Sequence, residues 1–115
     1  MPSGRVLPYP DLTWEKGGFW STFQTAEGYR KTKIWGGFIT ENAVSAVARD
    51  IFALGLLRLE DAGIRVVLHA HDEVLCEVED DVTERDIEAM MTVTPKWIDG
   101  LPLAAEAKER DAYAK

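Results

Sequence analysis

His69, His71, Asp72 and Glu73 fall within five residues, between the apolar runs Val66-Val67-Leu68 and Val74-Leu75-Cys76. Adjacent carboxylates at the end of two apolar strands repel each other and resist ionisation. A bound divalent cation resolves that conflict. In two-metal phosphoryl transfer, such carboxylates hold cations roughly 3.5–4 Å apart that clamp the attacking and leaving oxygens. Asp72 and Glu73 are also ordinary turn residues, so a plain solvated junction stays open. A third chemistry is a small metal-dependent hydrolase with Zn²⁺ on His69, His71 and Asp72. It needs a further strong ligand, and the chain has only these two histidines.

The elements that must position this cluster follow from periodicity. Val66–Ala70 and Val74–Glu79 alternate as two antiparallel strands, so that 66–79 reads as a hairpin with Val74, Cys76 and Val78 on one face and Leu75, Glu77 and Glu79 on the other. By the same alternation, His69 faces the way His71 does. Before the hairpin, the spacing predicts a long helix over 41–62, with Thr40 as N-cap and Gly63 as the left-handed exit. Val44, Val47, Ile51, Leu54, Leu57 and Leu59 form its expected core stripe, opposite Asn42, Ser45, Arg49 and Arg58. After the hairpin, Thr83 and Asp86 are spaced as a capping box opening a helix over 83–94, which Pro95 terminates. Leu101–Glu106 reads as a returning strand, and the charged tail Lys108–Lys115 is weakly specified. Residues 1–40 are irregular and aromatic-rich, with Val6–Tyr9 as a short strand. Their aromatics suit packing against a neighbouring surface or stacking on bases. The fold class is α+β, and no boundary or repeat divides residues 1–115.

Composition narrows the function. A 46% hydrophobic and 29% charged chain of 115 residues has the make-up of one globular domain, and no apolar run approaches the roughly 20 residues of a membrane span. Met1-Pro2-Ser3-Gly4-Arg5 lacks an apolar signal core, which with the single Cys76 predicts a cytoplasmic protein with a reduced thiol. The net charge of −7 has the wrong sign for a stand-alone nucleic-acid binder, which must neutralise phosphates.

Four segments, in order, resemble the C-terminal palm of family A DNA polymerases, the DNA polymerase I type, and especially its phage branch. Pro2-Ser3-Gly4-Arg5 with Leu7 and Tyr9 is similar to a segment that follows the fingers. Trp35-Gly36-Gly37-Phe38-Ile39-Thr40-Glu41-Asn42, continuing through Ala46-Val47-Ala48-Arg49-Asp50, resembles the opening of a helix along the template-primer. His71-Asp72-Glu73 matches the catalytic hairpin motif, and Leu101–Glu106 matches the closing strand.

The resemblance implies a partial palm in which the hairpin and C-terminal strand form a small sheet against the long and short helices. Asp72 is implied as a Mg²⁺ ligand, Glu73 as an assisting or occasional ligand, and His71 as a group beside the primer terminus. Asn42, Ser45 and Arg49 are implied as template-primer contacts, although Ser45 stands where phage relatives often carry a longer Gln. His69 carries no implied role and reads as a structural histidine.

The family's other metal-bridging Asp and its nucleotide-gripping helix do not precede Pro2. The expectation is therefore a chain silent alone, needing DNA, dNTP and a larger polymerase chain, and prone to self-association when isolated. The competing expectations are a catalytically silent remnant and a protein-interaction module.

Overall fold

The computed structural model describes residues 1–113. Its elements are strands β1 (Thr13–Glu15), β2 (Gly18–Thr25) and β3 (Gly28–Ile34), helix α1 (Gly36–Asp61), strands β4 (Arg65–Ala70) and β5 (Glu73–Glu77), helix α2 (Glu84–Met91) and a short 3-10 helix over Lys96–Ile98. Two helices with two small antiparallel sheets make the chain α+β. It divides into two compact units, Met1–Ala48 and Arg49–Lys115, and α1 contributes residues to both. Of the tail Lys108–Lys115, the last two residues lie outside the described ones. Among the described residues no helix is long and apolar enough to cross a membrane.

In the first unit, the stretch expected to be irregular is a three-stranded antiparallel meander in the order β1-β2-β3. Its first turn uses Lys16 and Gly17, both at positive φ (48° and 71°), as the strand twist of a two-residue hairpin loop requires. At the second turn, Thr25 Oγ1 accepts a bond from the Glu27 amide and donates to the Gly28 carbonyl.

Val6–Tyr9 forms no strand. Pro8 and Pro10 remove alternate backbone donors there, and the segment is tied down instead through one carbonyl. Pro10 O accepts from the fully buried Ser21 hydroxyl (2.5 Å) and from the Thr22 amide (3.0 Å). Tyr9 meets Phe23 edge-on, and Phe23 lies against Phe38, with ring centroids 6.3 and 6.0 Å apart. Several of the aromatics thus pack on one another within the first unit, while Trp14 and Trp35 stay exposed.

Helix α1 begins at Gly36, five residues earlier than the capping pattern suggests. Thr40 lies inside the helix and donates its hydroxyl back to the Gly36 carbonyl (2.8 Å), the alternative use of a threonine near a helix start. Gly37 is required by its neighbour, because a Cβ there would sit 1.9 Å from the Trp35 indole. The exit matches expectation. Gly63 (φ +79°) donates to Glu60 O and Ile64 to Leu59 O, the paired bonds of a Schellman cap. Both Leu59 and Ile64 are buried.

The expected core stripe is only partly buried. Leu59 is fully enclosed, but Val44 is 64% exposed and Leu57 is exposed as well, while Ala46 and Gly55 are buried. Apolar residues stand on several sides of α1, so a single periodic face does not define its core.

In the second unit, α2 carries the expected capping box. Asp86 N donates to Thr83 Oγ1 and Thr83 N to Asp86 Oδ2. Bonds from the Thr83 backbone first and its hydroxyl second hold the Asp86 carboxyl below its ordinary range. The helix stops at Met91, before the expected 94.

Leu101–Glu106 is not a strand, and among the described residues the β4–β5 sheet has two strands. Pro102 lacks a donor. Just beyond, the backbone bonds to side chains of α2, Ala107 N to Glu88 Oε1 and Glu109 N to Glu84 Oε1.

Candidate functional site

The β4–β5 hairpin is built much as its alternation demands, with one irregularity. Ala70 pairs with Glu73, His69 with Val74 and Leu68 with Leu75, whereas Val66 pairs with Cys76. Val67 is therefore an extra residue, a bulge. It lets Val66 and Leu68 serve opposite faces, where a regular strand would put them on the same one. Val74 and Cys76 share a face with His69 and Val66; Glu73 and Leu75 share the other with Ala70 and Leu68. Arg65 and Glu77 close the open end with a 3.0 Å ion pair.

His71 and Asp72 make the two-residue tip. His71 has φ +53°, a left-handed conformation uncommon outside glycine and a recurrent feature of functional sites. Strand alternation ends at Ala70, so His71 is not aligned with His69 by the pleat. His69 packs edge-on against Phe52 of α1, ring centroids 6.2 Å apart, and the Arg49 guanidinium lies 5.8 Å from the centre of that same ring. Phe52 therefore links the hairpin to a candidate DNA-contact residue. Nothing in the sequence singled it out, because a phenylalanine in an apolar helix reads as core.

His71, Asp72 and Glu73 are all exposed, as are most of the β4 residues below them. The tip thus faces solvent and is not enclosed by the apolar runs that flank it in sequence. The Asp72 and Glu73 side chains make no hydrogen bond or ion pair among the described residues, leaving their oxygens open to a cation. Two adjacent open carboxylates fit part of a Mg²⁺ shell, with the rest left to water or other ligands. Among the described residues no group of three or more His, Cys, Asp or Glu is arranged so that it could hold a metal ion. His69, His71 and Asp72 are accordingly not gathered as a zinc site among the described residues.

Asn42 is half-buried, while Ser45 and Arg49 are exposed. Asn42 and Ser45 belong to the first unit, and Arg49 belongs to the second with the hairpin. Cys76 is half-buried, and burial first, with the Glu60 charge second, pushes its thiol up, as for an inert core cysteine.

Comparison with known proteins adds what this local geometry lacks. The chain is 39% identical to a DNA polymerase of Bacillus phage SP02 over an alignment of 124 positions that covers all of this chain. It resembles a DNA polymerase segment along its entire length. The match spans 19% of the phage polymerase. No family model matches the chain, and no solved structure does.

Proposed function

We propose that this chain is the C-terminal part of a family A type polymerase palm, carrying the His71-Asp72-Glu73 hairpin for template-directed nucleotidyl transfer and dependent on the rest of a polymerase for activity. The observation that supports it most is the similarity of this whole chain to 19% of a phage DNA polymerase, in a chain whose exposed tip holds two open carboxylates.

Asp72 and Glu73 are the residues that would hold Mg²⁺, with Asp72 the principal ligand. When bound, the cation supplies a lowered pKa at the primer 3′-hydroxyl and charge neutralisation at the transferring phosphate. His71 stands beside the primer terminus in this reading, and its fixed backbone at the turn limits how the imidazole can move. Arg49, braced on Phe52, offers a guanidinium to a template-primer phosphate, and Asn42 and Ser45 contribute polar contacts further along the helix. Two carboxylates alone give weak metal affinity and no nucleotide pocket, so the isolated chain is silent.

The test is recovery of the tagged chain from its native cell or phage infection, with mass spectrometry of what accompanies it. A larger polymerase-like chain should be recovered, and Asp72→Asn in that assembly should abolish synthesis while leaving assembly intact. Recovery of this chain alone, or full synthesis by the Asp72→Asn assembly, sinks the proposal in favour of a silent remnant or an interaction module.

A further inference from the structure

The net charge of −7 is unevenly distributed. Met1–Ala48 holds 5 basic and 4 acidic residues, whereas Arg49–Lys115 holds 8 basic and 16 acidic. Four of the five bases in the first unit, Lys16, Arg30, Lys31 and Lys33, fall in the meander against only Glu15 and Glu27.

The register sorts these groups by face. Trp20 pairs with Thr13 on one side and Lys33 on the other, Thr22 with Lys31, and Gln24 with Tyr29. One face therefore carries Trp20, Tyr29, Lys31 and Lys33 together with hydroxyl and amide groups. Lys31 and Lys33 are two residues apart on one strand, roughly 7 Å along it. Lys33 lies across Gly18, where a Cβ would come within 2.8 Å of its Cε, and Tyr29 is 78% exposed.

We propose that this face of the meander binds single-stranded DNA, with Lys31 and Lys33 on backbone phosphates and Tyr29 stacking on a base. This deepens the polymerase reading and rests on it for the choice of DNA. Aromatic rings on a flat sheet can stack only on bases that are unpaired, and lysines beside them follow the strand's phosphates. An acidic protein surface would also satisfy the lysines and pack on the ring; the polymerase reading decides for DNA, and a titration separates the two.

One carboxylate competes for the site. Lys31 forms an ion pair with Glu15, whose carboxyl is held below its usual range chiefly by that hydrogen bond. The pair is exposed, and such pairs contribute little, so a phosphate can displace Glu15. Removing the Glu15 charge should therefore strengthen DNA binding.

The experiment is fluorescence anisotropy of a labelled single-stranded oligonucleotide titrated with the full chain at low salt, without added metal. Lys31→Glu with Lys33→Glu should weaken binding at least tenfold and flatten the dependence of log affinity on log salt by about 0.7 for each phosphate no longer neutralised. Tyr29→Ala should weaken it several-fold, and Glu15→Gln should tighten it several-fold. Circular dichroism of each variant verifies that the fold is retained. No binding by the wild-type chain, equal or tighter binding of a blunt duplex, or indifference to the lysine and tyrosine changes overturns the proposal. A salt-sensitive dimer abolished by the lysine changes, with no DNA bound, also overturns it and assigns the face to an acidic surface of a second copy. Binding that persists while the assembled polymerase reading fails separates the two proposals.

Discussion

Replacing His71 by glycine should make the protein more stable and, on the proposed function, the assembled polymerase slower. The left-handed backbone at His71 (φ +53°) costs a non-glycine residue roughly 1–2 kcal/mol. Glycine avoids that cost but loses about 0.5–1 kcal/mol through the greater freedom of its unfolded chain. From the middle of each range the net stabilisation is about 0.75 kcal/mol, roughly a three- to fourfold rise in the folded-to-unfolded ratio, or roughly 3–6 °C in Tm for a unit of this size.

Urea titration followed by far-UV circular dichroism measures it, with His71→Val as the opposite control, since a β-branched residue tolerates positive φ worst. Primer extension by the assembled enzyme reads the other side. If His71→Gly leaves stability unchanged or lowers it, the tip does not carry this backbone cost. If the variant gains stability and keeps full activity, the imidazole has no task at the primer terminus.

Leu59 is fully buried beside the Schellman exit of α1, and Leu59→Ala should cost about 3–5 kcal/mol in denaturant titration. At Gly55 a Cβ would meet the flexible end of Met91, 2.9 Å from both Sδ and Cε. Gly55→Ala should therefore be neutral or stabilising by up to about 1 kcal/mol as Met91 swings aside, while Gly55→Leu should destabilise by about 1–3 kcal/mol. Thr83→Ala removes the α2 cap and should cost about 1 kcal/mol. Because Asp86 is held below its ordinary value in the folded chain, its contribution is complete above the unfolded value near 3.9 and is lost as pH falls through the lower folded value. The protection factors of the α2 amides, taken against the intrinsic exchange rate at each pH, should fall over that acid window, and the fall should be absent in Asp86→Asn.

The elements legible in the sequence are those whose signals are local. Gly63 as helix exit, the Thr83 and Asp86 cap, and the β4–β5 pairing around the carboxylates each depend on residues within a few positions of one another. The start of α1 misleads because Thr40 can either cap a helix or bond back inside it, and only the folding of Trp35 over Gly37 favours the earlier start. The meander was hidden because its aromatics point to both faces and lack a period. Its order comes instead from turn geometry at Lys16-Gly17 and from Pro10 gripping Ser21. Leu101–Glu106 looks like a strand by composition, yet Leu101 O accepts from the Thr94 hydroxyl and the segment joins no sheet edge. At the candidate site, the carboxylates are visible in the sequence and Arg49 with Phe52 is an i, i+3 pair on one helix, but the packing of His69 on Phe52 is a tertiary contact without a sequence signature.

The extra residue at Val67 separates two properties that strands normally tie together. On either side of it, the pairs below (Arg65 with Glu77, Val66 with Cys76) and above (Leu68 with Leu75, His69 with Val74) each keep a constant register. Deleting Val67 would join the two ladders without changing any partner or moving any side chain to the opposite face. What would change is the added twist that a bulge introduces, and with it the direction in which Asp72 and Glu73 point. The aim of the carboxylates can thus vary by insertion or loss of a single residue while the pairing that holds them stays the same.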